Sequence, residues 1–396
     1  MKVLYLGFLA ADAGMSELLQ VDRSMPVQTH RFGWSMARSL RSAGIEVVAF
    51  GFLPAADFPH CSRIRFGRER YEQDGVLGTT LPFYNLTGLK HLSRFVSVRR
   101  ALRQWRGGAA FDAVLIHGVH SPLLWAGLNA GKIRGVPVVT VLTDPPSTRT
   151  ALDNLAATAL KVADRRLIGA ALARMDGVVA LADGLATDFA PGLPTLLMEG
   201  IAADPLEFPS STTRMARHEV VYAGSLNAEY GVLDLLEAVT RSAGQWRLAV
   251  YGRGPLEDLV RERARQSARV HFGGMADAQQ LQSVYEQARL LVNPRPPNTM
   301  IAGYSFPSKI LEYMASGTAV LTTRLPGIPA DYEPHVTFSE PGAAGLARAI
   351  DRALQQPDVL ADIGAGGRDF ILTTRGHAAQ GERLRGFLQD LAADVS

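Results

Sequence analysis

The sequence has almost no cysteine: a single one, Cys61, in 396 residues. An intramolecular disulfide is therefore excluded, and a chain of this length can bury enough surface to need none. No apolar run approaches the roughly 20 residues that a membrane-crossing helix requires. The opening Met1-Lys2-Val3-Leu4-Tyr5-Leu6-Gly7-Phe8-Leu9 is shorter, carries a lysine and is soon followed by Asp12. It reads as a buried first strand closed by a glycine turn, not as a signal segment. Charge of one sign is also missing overall, with 41 Lys or Arg against 38 Asp or Glu. At 47% hydrophobic and 20% charged residues, the composition excludes wholesale disorder. About 150 residues per domain gives an expectation of two or three domains. The protein is expected to be cytoplasmic.

What is present is a rhythm of short apolar runs and helical patterns. The runs Val3–Gly7, Glu46–Gly51, Ala113–His117, Val136–Leu142, Gly177–Ala180, Glu219–Tyr222, Arg247–Tyr251, Val270–Phe272, Leu290–Asn293 and Ala319–Thr322 read as strands. Phe32–Ala43, Thr150–Leu172, Val232–Arg241, Gly254–Gln266 and Ala278–Ala288 read as helices between them. Such alternation predicts an α/β fold of parallel sheets covered on both faces. Pro194, Pro205, Pro209 and Ser210-Ser211-Thr212-Thr213 mark residues 192–217 as a linker. Two doubly wound domains are thus expected, residues 1–197 and 198–376. A last helix from His377 to about Leu391, within residues 377–396, has no strand partner of its own and is free to cross back to the first domain.

The densest chemical signal is Leu291-Val292-Asn293-Pro294-Arg295-Pro296, followed by Tyr304-Ser305-Phe306-Pro307-Ser308-Lys309-Ile310-Leu311-Glu312. A strand ends at Asn293 and a helix is expected to start near Ser308. Lys309 would stand in the first turn, unfavourable for the helix dipole but suited to a phosphate. Glu312 is the right group to accept ribose hydroxyls, or else a capping partner of Ser308. Two further strand-to-glycine turns are Val220-Val221-Tyr222-Ala223-Gly224-Ser225 and Leu248-Ala249-Val250-Tyr251-Gly252-Arg253-Gly254. Gly-x-Gly is too short for a dinucleotide fingerprint, so nicotinamide binding is not expected.

Together these segments resemble the C-terminal half of the family 4 retaining glycosyltransferases of the GT-B fold, in a branch found in surface-polysaccharide biosynthesis. Phe306 to Thr318 carries the resemblance, supported by Asn293-Pro294-Arg295-Pro296 and Leu325-Pro326-Gly327-Ile328-Pro329. It is specific over residues 219–332 and diffuse over the first domain. The resemblance implies two Rossmann-like domains facing a cleft, the second holding a nucleotide diphosphate sugar such as a UDP or GDP sugar and the first facing a hydroxyl acceptor. Glu312 would then hold the ribose, and Ser308 with Lys309 the diphosphate. Gly224 and Ser225 would line the phosphates, with Gly252 and Phe272–Met275 near the base. Many relatives carry a second carboxylate eight residues before the ribose glutamate, where Tyr304 stands here. Many also carry an Arg and a Lys in the stretch occupied here by Ser225-Leu226-Asn227-Ala228-Glu229-Tyr230. Phosphate charge would fall to Lys309, with Arg253 or Arg295 assisting. The resemblance further implies metal-independent transfer without a separate cofactor, and the sequence contains no Asp-x-Asp of the metal-dependent class. A nucleotide-sugar epimerase and a catalytically weak binding protein remain as alternatives.

In the first domain His117 and His120 follow one strand and Thr143-Asp144 follows another. His120 and Asp144 are expected to orient reacting groups beside Lys309, and His117 to pack at its strand end. Two histidines without a third ligand do not make a metal site. From Arg63 to Arg106 ten Lys or Arg face three Asp or Glu. Within it, residues 89–106 read as a helix with Leu92, Phe95, Leu102 and Trp105 on one stripe. That stripe either packs on the sheet or meets an anionic membrane or acceptor. Nucleic acid is not an expected partner, for no recognised module is present.

Overall fold

The computed structural model describes residues 1–22, 27–86, 88–105, 110–146, 155–202, 220–299 and 302–395. Thr150, Arg106, Pro205, Pro209, the Ser210–Thr213 run and Glu219 lie outside the described residues. The chain divides into two compact units, Met1–Ile201 with His377–Ser396, and Ala202–Gly376.

The strands of the first unit are β1 (Lys2–Gly7), β2 (Glu46–Gly51), β3 (Arg65–Phe66), β4 (Glu69–Gln73), β5 (Val76–Thr80), β6 (Phe83–Tyr84), β7 (Ala113–His117), β8 (Val138–Leu142), β9 (Gly177–Ala180) and β10 (Thr195–Leu197). Eight of them form a sheet in the order β10-β9-β8-β7-β1-β2-β5-β4, while β3 and β6 pair separately. All neighbours in the large sheet run parallel except β4, which is antiparallel to β5. Its helices are α1 (Asp12–Val21), α2 (Val27–Ser42), α3 (Leu89–Gln104), α4 (Ser121–Arg134), α5 (Leu155–Leu172), α6 (Asp183–Phe189) and the terminal helix His377–Val395. Leu384, Leu388 and Leu391 of that last helix share a core with Trp34 and Leu40 of α2 and with Val3 and Tyr5 of β1. Its first turn is also tied to the unit, Gln380 Nε2 donating to the Gly200 carbonyl at 2.7 Å.

The β4–β5 hairpin escapes a reading for apolar runs, because β4 is a polar edge strand with little to bury. Its turn was nevertheless written in the sequence. Asp74 and Gly75 take φ of 52° and 70°, the left-handed pair that Asp-Gly favours in a two-residue hairpin.

The second unit contains β11 (Val220–Ala223), β12 (Leu248–Tyr251), β13 (Val270–Gly274), β14 (Leu290–Asn293), β15 (Val320–Thr323) and β16 (Thr337–Ser339). They form one parallel sheet in the order β13-β12-β11-β14-β15-β16. Helices α7 (Val232–Arg241), α8 (Glu257–Gln266), α9 (Ala278–Gln287), α10 (Lys309–Ala315), α11 (Ala343–Leu354) and α12 (Pro357–Arg375) cover it. Alternate residues of each strand enter opposite cores, as the pleat requires. Val220, Tyr222, Leu248 and Val250 join one with Leu235 and Leu346, and Val221, Ala223 and Ala249 join the other with Ile310 and Met314. Both faces being buried, the strands read as continuous apolar runs.

Candidate functional site

In the second unit β11 lies between β12 and β14, so the winding reverses there. Open α/β sheets form their binding crevice at such a point, outside the carboxyl ends of the strands. Gly224 and Ser225 leave the end of β11, and Pro294-Arg295 leaves the end of β14. Gly252 and Arg253 leave β12 beside them. At Gly252 φ is +132°, and a Cβ would stand 1.8 Å from the Gly224 carbonyl oxygen, so the two glycine turns pack backbone to backbone. The Leu226 amide donates to the Arg253 carbonyl at 2.9 Å, and the Gly252 amide to that of Gly274 at 2.8 Å. The second bond ties in the Phe272–Met275 strand end. Arg253 is exposed, whereas Arg295 is 4% exposed, its guanidinium 5.6 Å from the Tyr230 ring centre. Burial lowers its pKa against the pull of Tyr230 and Glu229.

Helix α10 is fastened to this edge by Tyr313, a residue that the sequence reading did not single out. Its hydroxyl donates to the Ala223 carbonyl at 2.9 Å and accepts from the Ala223 amide at 2.8 Å, clasping the end of β11. One turn earlier Lys309 Nζ pairs with Glu312 Oε2 at 2.7 Å. Ser308 precedes the helix and makes no side-chain cap. The capping alternative for Glu312 is therefore not what this structure forms. Tyr304 lies half-buried in the turn before α10. The structure thus gathers Gly224, Ser225, Gly252, Arg253 and Arg295 at adjoining strand ends, with Ser308 just before, and Lys309 and Glu312 on, the helix that Tyr313 clasps to the end of β11.

His120 and Asp144 belong to the first unit, where β1 lies between β2 and β7 and the winding again reverses. His117 ends β7, His120 caps α4, and Asp144 sits exposed just beyond the adjacent β8. His117 is fully buried beside Tyr5 and Phe32. Neither of its ring nitrogens has a partner among the described residues, and burial brings its pKa down to about 4. It is the packed strand-end histidine that was expected. His120 differs, for Arg94 Nη1 lies 3.2 Å from its Nε2. A guanidinium can only donate, so Nε2 accepts and the ring proton resides on Nδ1, which is buried and has no partner among the described residues. His91 stacks on the same ring at 4.8 Å. Burial, then the charges of Arg94, His91 and Lys90, hold the His120 pKa well below its ordinary value, which keeps the ring neutral.

Arg94 corrects the expected helix stripe. Leu92 is 59% exposed, while Arg94 is 3% exposed and Lys90 7%. The guanidinium is enclosed by the rings of Phe83, Phe52 and Phe8, at 4.3, 5.3 and 5.4 Å, and burial lowers its pKa to about 9. Lys90 Nζ donates to the Ala55 carbonyl at 2.8 Å and pairs with Asp57 at 2.5 Å. On the inner face these partnered cations stand beside the buried Val98 and Ala101, while Leu92 of the expected stripe is left exposed and Phe95 and Leu102 are half-buried. The spacing 90, 94, 98 and 101 would have revealed that face, had two of its members not been charged. Among the described residues no group of three potential metal ligands comes together, and no helix is long and apolar enough to cross a membrane.

Residues 30–193 match the glycosyl transferase 4-like domain, and residues 217–356 match the glycosyl transferases of group 1. Over 182 residues the chain is 28% identical to a glycogen synthase of Mycobacterium tuberculosis, a match spanning 43% of this chain and 42% of that relative's own length. Anabaena HepE in complex with UDP superposes with a TM-score of 0.63 at 17% identity, covering 98% of this chain and 100% of that one. Sucrose-phosphate synthase from Thermosynechococcus elongatus gives 0.65 at 17% identity, with both chains covered completely at 100%. Two Rossmann-like units, each with candidate residues at the carboxyl edge of its sheet, define the GT-B class of α/β proteins. The chain belongs to the family 4 glycosyltransferases.

Proposed function

We propose that the protein transfers a hexose-type sugar from a nucleotide diphosphate, a UDP or GDP sugar, to a hydroxyl acceptor. The acceptor is a glycan, a lipid-linked saccharide or a small glycoside, and transfer proceeds with retention and without a metal. The observation that carries this reading is the Lys309–Glu312 pair on a helix clasped to the winding-reversal point of the second sheet. An ammonium has three N–H donors and a carboxylate two oxygens. Lys309 can therefore keep Glu312 and still donate to a diphosphate, while Glu312 Oε1 takes a ribose hydroxyl. In an oxocarbenium-like transition state charge accumulates on the leaving diphosphate, and a preorganised cation there lowers the barrier. In the first unit exposed Asp144 is the group to orient a hydroxyl, with neutral His120 assisting from the neighbouring strand end. Anabaena HepE was solved with UDP and with UDP-glucose, which puts uridine nucleotides first in the test.

The experiment is thermal denaturation with UDP, GDP, ADP, CDP and dTDP, with and without EDTA. A nucleotide at about one hundred times its dissociation constant stabilises the fold by about 2.7 kcal/mol. One nucleotide raising Tm equally with and without EDTA supports the donor class and the metal-free reading. Loss of the shift in EDTA overturns the latter, and no shift with any nucleotide overturns the site.

A further inference from the structure

The first half of helix α3 is turned inside out. At 100° per residue, Lys90, Arg94, Val98 and Ala101 fall on one face, which is the buried one. The opposite face carries Leu89, Leu92 and Val96, which are 41%, 59% and 52% exposed. It continues along the helix with Arg99, Arg100 and Arg103, all exposed. Three apolar side chains and three arginines thus share one solvent-facing stripe over 16 residues. The stripe itself carries no acid, and no Asp or Glu occurs along the chain between Asp74 and Asp112. Tyr84, 46% exposed, extends the patch: its backbone amide donates to Ser93 of the same helix at 3.1 Å, and Arg65 pairs opposite it. Beside the C-terminal end of α3 a groove of about 790 Å³ opens against the sheet, with Trp105 and Leu77 in its wall, Arg68 and Arg70 around it, and Lys2 there paired with Glu46 at 2.7 Å.

We propose that this stripe is a docking surface for an anionic lipid bilayer, on which α3 lies with its axis in the plane of the interface. A soluble helix hides its apolar residues; one that exposes Leu89, Leu92 and Val96 beside arginines of a single sign matches the apolar interior and anionic headgroups of a bilayer. The burial of Lys90 and Arg94 makes the arrangement stable, because those cations find their partners within the unit and leave the outer face to the lipid. Charge decides against a protein partner of ordinary mixed composition, for every charged side chain on the stripe has the same sign. The inference stands on this surface alone and does not depend on the proposed reaction.

The test is flotation of the full chain with vesicles of phosphatidylcholine alone and of an equimolar mixture with phosphatidylglycerol. Binding is expected only to the anionic vesicles. It should fall between about 0.1 and about 1 M salt, as the screening length shrinks from about 10 to about 3 Å. The triple variant Arg99→Gln, Arg100→Gln, Arg103→Gln should bind about a hundredfold more weakly, at about fivefold per charge. Leu92→Gln with Val96→Gln should also lose binding. Both variants alter exposed residues and should keep the parent Tm, which separates lost docking from lost folding. Absence of binding, or equal binding to both kinds of vesicle, overturns the proposal. So does a lipid-free dimer in gel filtration that the Leu92 and Val96 substitutions dissolve, since the surface would then serve a second copy of the chain.

Discussion

Lys309 and Glu312 form a solvent-exposed pair three residues apart, with 32% and 48% of their side-chain surfaces open. Such pairs contribute only about 0.3–0.5 kcal/mol to a fold. Any larger consequence of removing Lys309 must therefore arise in binding or in the transition state. Lys309→Ala should lower kcat by about a hundredfold or more with Tm unchanged, to be checked by initial rates beside a melting curve. A variant with normal turnover would remove the residue from the mechanism. The pair was legible in the sequence because a cation in the first turn of a helix is electrostatically out of place. Arg94 was not legible: the expectation for arginine is solvent, and the three rings around it come from segments near residues 8, 52 and 83 that only the fold assembles. Tyr313 was hidden for the opposite reason, since a tyrosine on the inner side of a helix reads as ordinary core.

At the scale of elements, the buried parallel strands were readable as apolar runs. The short edge strands β10 and β16, three residues each, were too brief to give one. The glycine turns carry the finer information. Gly252 and Gly274 both have positive φ, at +132° and +68°, but they differ in surroundings. A methyl group at Gly252 collides with the Gly224 carbonyl, whereas one at Gly274 meets nothing within 4 Å. Gly274→Ala should therefore cost about 1 kcal/mol of backbone strain. Gly252→Ala should cost at least about 3 kcal/mol through strain and forced separation of the β11 and β12 turns. It should also abolish any nucleotide-induced rise in Tm. Urea unfolding of the two variants checks the ranking, and equal costs would mean that the turns are not held in contact.

For the whole molecule, the histidines whose pKa is lowered are, among the described residues, gathered in the first unit. His30, His91, His117 and His120 all lie there, and burial is the largest cause of the lowered pKa at each. In the second unit His271 is exposed and His335 half-buried. Unfolded histidine takes up its proton near pH 6.5, and folded His117 only near 4. Between those values the unfolded chain binds more protons, so stability present at neutral pH is lost as the pH falls from 6.5 towards 4. His117 alone accounts for about 2 kcal/mol of loss by pH 5, and the other three act in the same direction. Calorimetry at pH 7.5 and pH 5 should accordingly show the transition of the first unit moving down further than that of the second. His117→Leu, which fills the site without a titratable group, should recover part of the loss at pH 5 while gaining nothing of that kind at pH 7.5. If both units shifted alike and the variant lost as much as the parent, the acid response would belong to the surface carboxylates rather than to these histidines.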